Sequence, residues 1–116
     1  MFRINFGDPL NGTFRGAVKW GGLTDSVSQL VVTYDAGTLK AYLNSVDLGA
    51  YSVASGAVPS SLYVSLINLI VGGTASGSGV VNVFNDKIGS AKIYNVALTA
   101  AEVLTNYNTQ KSLYGL

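Results

Sequence analysis

The 116-residue chain contains no cysteine and no histidine. These absences exclude disulfides, thiol nucleophiles, thiolate metal sites and imidazole bases, and they remove the commonest transition-metal ligand. Charge is scarce as well, because only 11% of the residues are Asp, Glu, Lys or Arg, against about 25% in an average soluble domain. The basic residues are scattered singly, so no patch is present that would hold a nucleic-acid backbone. We therefore expect no nucleic-acid partner and a fold that is stabilised by packing and backbone hydrogen bonds alone.

Long hydrophobic runs are absent too. The most apolar stretch, LYVSLINLIV at residues 62–71, includes Ser65 and Asn68 and is far shorter than the roughly 20 residues that a membrane-spanning helix needs. The N-terminal segment, MFRINFGDPL, lacks a basic region followed by an apolar stretch, which is the pattern of a secretory leader. The sequence therefore predicts neither membrane insertion nor a targeting segment.

Apolar residues make up 48% of the chain, whose length is that of one domain. This apolar fraction excludes a disordered chain. Together with the low charge, it indicates either a dense core or an apolar surface that a neighbouring subunit covers. Composition alone leaves both interpretations open.

Most of the chain carries the patterns of short β-strands. Apolar and polar residues alternate, or β-branched residues cluster, between turn residues such as Gly, Asn and Asp. Strands are predicted at residues 2–6, 13–20, 28–34, 38–44, 46–51, 62–73, 80–84 and 88–94. Turns are predicted at residues 35–37 and 44–45, and loops at residues 54–61 and 74–79. Short strands with turns between them are typical of an all-β, antiparallel β-sandwich or jelly roll.

One helix interrupts this pattern near the C-terminal end. Thr99 and Glu102 have the spacing of a capping box, in which each side chain bonds the other residue's backbone N–H. Apolar residues then recur at positions 100, 103, 104 and 107, which is one face of a helix. The sequence predicts a helix around residues 100–108 that must lie against the sheets, because so short a helix is unstable alone.

Two segments resemble the laminin-G-like domains of the concanavalin A-like lectin/glucanase superfamily. Residues 31–49, VVTYDAGTLKAYLNSVDLG, resemble the family's hairpin, in which vTYD is followed by L-x-l-Y-v-N-G. Residues 84–107 resemble its ending, in which a strand with I-x-x-V-x-I-Y-N leads through L-[ST]-x-x-E into a short helix that closes in N-Y. The residues that match this ending are Ile88, Ile93, Tyr94, Asn95, Leu98, Thr99, Glu102, Asn106 and Tyr107. The resemblance implies one laminin-G-like sandwich over residues 1–116, closed at one end by its last strand and helix.

Three departures from the family pattern matter. Ser45 stands where the hairpin turn usually has Gly, so the positive φ of a type I′ turn has an energetic cost here. Asp86 stands where Gly often follows the Phe-Asn pair. Family domains are also longer, and the first motif begins only at residue 31, so several N-terminal strands are expected to be missing. The sandwich is therefore either minimal or completed by a neighbouring chain that covers its open edge.

Acid–base catalysis has few candidates in this chain. Glycosidases of the superfamily carry a pattern such as E-x-D-x-x-E on one strand, and retaining chemistry requires two carboxyls about 5.5 Å apart. Such spacing on one strand is not found among the acidic residues, which are Asp8, Asp25, Asp35, Asp47, Asp86 and Glu102. Since Glu102 is also assigned to the capping box, we expect no enzymatic activity.

A calcium site is the less favoured possibility, and the absence of any cofactor is the favoured one. Asp8 with Asn11, or Asn85 with Asp86, would supply oxygen ligands in predicted loops. The simpler interpretation is that these are turn residues, as Asp and Asn commonly are. We therefore expect neither a metal nor another cofactor.

Aromatic residues are the candidates for a sugar-binding platform. Trp20, which precedes a Gly-Gly pair, is the first candidate, and Tyr42 and Tyr51 are expected to be able to face outwards. The alternative for Trp20 is packing in the core or at a subunit contact, where aromatic residues are enriched. Tyr42 also lies in a motif segment, where packing or a hydroxyl bond to the backbone would explain it.

Candidate subunit contacts lie at both ends of the chain. Phe2 and Phe6 belong to the first predicted strand, and Leu113, Tyr114 and Leu116 belong to the tail beyond the helix. We expect the tail to dock either on the chain's own sandwich or on a neighbour, because its apolar content is unlike that of a frayed terminus.

Two functions are compatible with these patterns, because a fold does not fix a function. The first is a structural or decoration protein on the surface of a viral particle. The ending LTAAEVLTNYN and the thiol-free, Gly-Ser-Ala-rich composition resemble laminin-G-like domains of tailed-phage virion proteins. Other virion subunits or the chain itself are the expected partners, and cell-surface glycans are further possible targets. The low charge content and the shortness of the sandwich lead us to expect a homo-oligomer such as a trimer. The alternative is a carbohydrate-binding module, free or part of a larger secreted protein.

Overall fold

A computed structural model describes residues 2–8, 13–20, 27–62 and 70–116 of the chain. These residues form antiparallel β-strands followed by a short C-terminal helix, which confirms the all-β prediction. The strands are β1 (Phe2–Asp8), β2 (Thr13–Trp20), β3 (Leu30–Asp35), β4 (Thr38–Leu43), β5 (Val46–Asp47), β6 (Ser52–Gly56), β7 (Thr74–Ser76) and β8 (Gly79–Val81). Helix α1 spans Ala100–Gln110, and a 3₁₀ helix follows at Lys111–Tyr114.

The described strands form three antiparallel sheets. The first has the order β1-β2-β6, and its register places Phe2 opposite Trp20. The second has the order β3-β4-β5, and the third is the β7-β8 hairpin. Each sheet is built mainly from neighbours in the chain, with β6 returning to pair with β2.

Two tight hairpins build the second sheet. Ala36 and Gly37 join β3 to β4 with φ angles of 44° and 96°, and Asn44 and Ser45 join β4 to β5 with φ angles of 50° and 69°. Two successive positive φ angles define a type I′ turn, whose twist matches that of the flanking strands. Both predicted turns are confirmed, and Ser45 does adopt the left-handed conformation that glycine would tolerate better.

A small core joins the first and second sheets. Val18 from β2 packs with Leu39 and Ala41 from β4, and all three are buried. Partly buried residues pack around this cluster, namely Ile4, Tyr34, Leu48, Tyr51 and Val58. The alternation of buried and exposed positions along β4 puts Leu39 and Ala41 on one face of the strand, as a period of two requires.

The helix begins where the capping box predicts. Thr99 is its N-cap, and the reciprocal bonds between Thr99 and Glu102 are both present. Val103 is fully buried, but Leu104, on the same predicted apolar face, keeps 48% of its surface exposed. The helix is therefore only partly covered by the rest of the chain.

Residues 88–94 do not form the predicted strand. The stretch 82–99 contains neither helix nor strand, although its apolar residues recur as in a strand. A strand exists only where its backbone groups find a partner, and no described strand of this chain pairs with these residues. The strand prediction is therefore wrong for the chain by itself.

Other boundaries also differ from the sequence pattern. The predicted loop at 54–61 overlaps β6, and the predicted loop at 74–79 is mostly the β7-β8 hairpin. The predicted strand at 46–51 is limited to Val46–Asp47. Most of the predicted strand at 62–73 lies outside the described residues.

The chain exposes more surface than a closed domain of its mass. Its accessible surface is 8051 Å², whereas folded monomers of this size expose roughly 6,000 Å². The radius of gyration is 14.9 Å, against about 13 Å for a compact chain of this length. Among the described residues, large apolar side chains such as Leu62, Val83 and Leu113 are more than half exposed.

Candidate functional site

A groove of about 560 Å³ runs beside strand β3. We call it the β3 groove. Its walls come from three places: strand β3 with the residue before it, the irregular segment before the helix, and the helix itself. The described residues that line it are residues 29–34, Leu62, Ser90, residues 92–98, Asn106 and Gln110.

The first wall of the β3 groove is an unpaired strand edge. The backbone N–H of Asn44 donates to the Gln29 carbonyl at 2.8 Å, which fixes which residues of β3 bond to β4. Because hydrogen-bonding direction alternates along an antiparallel pair, Leu30 and Val32 direct their N–H and C=O groups away from β4. No strand among the described residues lies on that side. Their side chains are 43% and 39% exposed, so this edge is open in both backbone and side chain.

The opposite wall is the segment 92–98, which is held to the helix by a side-chain bond. The Asn106 amide donates to the Tyr94 hydroxyl at 3.3 Å. On either side of Tyr94 in the chain, Ile93 and Val96 keep 72% and 66% of their surface exposed. The joint between segment and helix is thus fixed, while its apolar side chains are left uncovered.

The third wall depends on where the helix starts. The Glu102 N–H donates to Thr99 Oγ1 at 3.3 Å, and the Thr99 N–H donates to Glu102 Oε2 at 2.7 Å. The Thr99 hydroxyl also donates to Glu102 Oε2, at 3.0 Å. The bonds from the Thr99 N–H and hydroxyl to the Glu102 carboxylate lower the pKa of Glu102. By fixing the first turn, the capping box also fixes Asn106 and Gln110, which are one turn apart and both line the groove.

Amides and hydroxyls dominate the polar lining of the β3 groove. Lys92 carries the only charge among the described lining residues. The side-chain oxygen of Gln29 is buried and has no hydrogen-bond partner, which is costly because a buried acceptor has lost its water. Such a surface suits an uncharged partner that brings hydrogen-bond donors and apolar groups.

The two tyrosines predicted as surface platforms are covered to different extents. Tyr42 is buried, with 2% of its side chain exposed, so the expectation that it faces outwards does not hold. Tyr51 is half-buried and packs against the core cluster. The ring of Tyr42 is therefore packed, as the alternative interpretation of this residue expected.

The C-terminal tail meets the chain's own irregular segment. The ring of Tyr114 lies so close to Gly89 that a methyl group there would overlap it. Leu116 is half-buried and its N–H donates to the Lys111 carbonyl at 2.9 Å. Leu113 is 76% exposed. The tail therefore makes a contact within the chain, while Leu113 remains available to a neighbour.

The N-terminal candidates lie in the first sheet. Phe2 and Phe6 are in β1 and Trp20 ends β2, where the backbone register sets Phe2 and Trp20 side by side. The side chains of these three residues lie outside the described part of the structure. None of the three lines the β3 groove as described.

Two exposed acidic residues, Asp86 of a predicted calcium loop and Asp47 of β5, have local backbone partners. Asp86 accepts from the Lys87 N–H at 2.7 Å, and Asp47 accepts from the Gly49 N–H at 2.8 Å. Asp8 is the last residue of β1, and Asn11 lies outside the described residues. Within the described ranges, no cluster of three or more acidic, Cys or His side chains is present.

The sequence did not single out the groove residues Gln29, Leu30 and Val32 as a site. They belong to a strand whose β-branched, apolar pattern predicted only burial. Asn106 and Tyr94 were named for the family motif, and their mutual bond gives them a positional role. Among the described helices, none has the length and apolar character needed to cross a membrane.

Comparisons with models of protein families, with curated proteins and with solved structures give no match to this chain.

Proposed function

We propose that the protein is a non-enzymatic structural or decoration subunit of a viral particle and that it acts through contacts between subunits. The observation that carries this proposal is the uncovered surface. The chain exposes roughly 2,000 Å² beyond the expectation for its mass, and a standard protein interface buries about 800 Å² on each partner. The excess is therefore large enough for a complete interface.

The exposed surface around the β3 groove and on the helix carries apolar side chains. Around the β3 groove, Leu30, Val32, Ile93 and Val96 are all more than one third exposed. Leu104 on the helix adds a further apolar side chain. Exposed apolar patches of this kind mark association surfaces in soluble proteins.

The finer fold that we propose is a shortened laminin-G-like jelly roll. The β3-β4-β5 hairpins follow the family's hairpin motif, and the bond between Asn106 and Tyr94 ties together two residues of the family's ending. The capping box at Thr99 agrees with the same ending. A tailed phage is the proposed source of the particle, because the ending LTAAEVLTNYN resembles that of laminin-G-like phage virion domains.

Light scattering after size-exclusion chromatography tests the assembly role. We expect the purified protein at micromolar concentration to form a defined homo-oligomer. A stable, monodisperse monomer with a normal unfolding transition would overturn the proposal. The particle assignment has a separate test, because antibodies to the protein should label the surface of viral particles purified from its natural source.

A carbohydrate-binding module is the second candidate. The amides of Gln29, Asn95, Asn106 and Gln110 in the β3 groove are groups that hydrogen-bond neutral sugars. The burial of Tyr42 and the packing of Tyr51 leave Trp20 as the remaining predicted platform. Glycan-array binding by the wild-type protein that is lost in Asn106→Ala would favour this function and the groove. Loss in Trp20→Ala instead would favour Trp20 as the platform.

A further inference from the structure

We propose that β3 is the edge through which two copies of the chain join, with β3 of one copy antiparallel to β3 of the other. The pairing would make one continuous sheet in the order β5-β4-β3-β3-β4-β5. The inference rests on the proposed assembly function and specifies its contact surface and its partner, a second copy of this chain.

The edge of β3 lacks the features that normally keep strand edges apart. Proteins protect such edges with charged side chains, proline, bulges or a covering element. Between Leu30 and Tyr34 there is neither a charged residue nor proline. The register between β3 and β4 is regular throughout, without a bulge. Within the described ranges no strand covers the outward N–H and C=O groups of Leu30 and Val32, so these groups can accept another strand.

One register pairs the outward backbone groups of Leu30 and Val32 in the two copies and requires no other backbone groups. If the twofold axis passes between the Val31 residues of the two copies, Leu30 of each copy lies opposite Val32 of the other. Each of these pairs exchanges two backbone hydrogen bonds, so four bonds form across the contact. The β3 groove, with a volume of about 560 Å³, lies along this strand.

The same register places Gln29 of one copy opposite Thr33 of the other, in a pair whose side chains point to the same face. Both side chains are polar and uncharged, so this pair adds no charge to the contact.

A second copy fits this edge because the contact is self-complementary. A twofold contact uses the same patch on both subunits and closes on itself. The excess surface of roughly 2,000 Å² per chain exceeds the burial of about 800 Å² per subunit that a stable dimer needs. Twofold pairing gives a dimer, so we expect a dimer in place of the trimer suggested by composition.

A single engineered cysteine provides a direct test, because the natural chain has none. At the twofold axis the Val31 residues form a non-hydrogen-bonded pair with Cα atoms about 4.5 Å apart, which is within disulfide range. We expect Val31→Cys to form a covalent dimer under mild oxidation. The control is Val83→Cys, which places a thiol at a 68% exposed site away from the edge and should stay monomeric on a non-reducing gel.

A charge placed on the edge provides the second test. We expect Leu30→Lys to raise the dimer dissociation constant at least about tenfold, because an edge lysine opposes strand addition. Val46→Lys, at a 66% exposed site on the opposite edge of the same sheet, is the matched control and should leave dimerisation unchanged. Both are measured by sedimentation equilibrium of the full chain.

The outcomes separate this inference from the proposed function. Cross-linking at Val31 together with dissociation by Leu30→Lys supports the β3 contact. An oligomer that Leu30→Lys leaves intact overturns the β3 contact but leaves the assembly role in place. A wild-type monomer that fails to cross-link at Val31 overturns both, and glycan binding by that monomer would favour the carbohydrate-binding alternative.

Discussion

Replacing Ser45 with glycine should stabilise the protein. Ser45 occupies the second position of the β4-β5 turn with φ of 69°, a left-handed conformation that costs an L-residue roughly 1–2 kcal/mol. Glycine avoids this cost but loses more backbone entropy on folding, by roughly 0.5–1 kcal/mol. The net gain should be about 0.5–1 kcal/mol of unfolding free energy.

The assay is thermal unfolding followed by circular dichroism. A gain of that size should raise the midpoint by about 2–5 °C for a domain of this length. Wild type and variant must be compared at one protein concentration, because association makes the midpoint depend on concentration.

Ser55→Gly is the matched control. Ser55 lies within β6, opposite Ala17 of β2, and it has no positive φ. Glycine within a strand is destabilising, so this variant should lower the midpoint. If Ser45→Gly lowers the midpoint as Ser55→Gly does, the turn is not strained in the way that its φ angle indicates.

Three further outcomes are expected. Thr99→Ala should cost about 1 kcal/mol of unfolding free energy, measured with urea, because the helix loses its N-cap. The pKa of Glu102 is lowered in the folded chain, so its carboxylate stabilises the helix fully above its ordinary pKa of 4.5. This stabilisation is lost as the pH falls through the lower pKa of the folded state. The helical dichroism signal should therefore fall in acid, and Glu102→Gln should remove that pH dependence. Gly89→Ala should lower the urea midpoint by displacing Tyr114, whereas Gly77→Ala, where a methyl group meets open space, should cause no such loss.

Local sequence features predicted the parts of the fold whose causes are local. The turn at Ala36 and Gly37 joins two strands whose alternation is visible in the sequence, and both strands formed with a regular register. Thr99 and Glu102 lie three residues apart and satisfy each other, so the start of the helix could be predicted without knowledge of the rest of the chain.

Features that depend on a distant partner could not be predicted in this way. Residues 88–94 have a strand-like pattern, but strand formation requires a neighbour that the pattern does not specify. The β7-β8 hairpin was missed for a different reason, since Gly77 and Ser78 are a recognisable two-residue turn and were assigned to a loop by composition. The β3 groove escaped prediction because its lining combines Gln29 and Asn106, which are far apart in the chain, and neither carries the charge that usually draws attention to a site.

The brevity of β5 has a consequence for how far assembly can proceed. This strand has two residues, one of them the charged Asp47. The second sheet therefore has one long edge, at β3, and one edge, at β5, that is too short and too charged to pair with another strand. The second sheet can therefore be extended by one partner only, and pairing through β3 uses that edge in both copies. Growth through this sheet stops at the pair, so β3 pairing alone should give a dimer whose size stays constant as concentration rises.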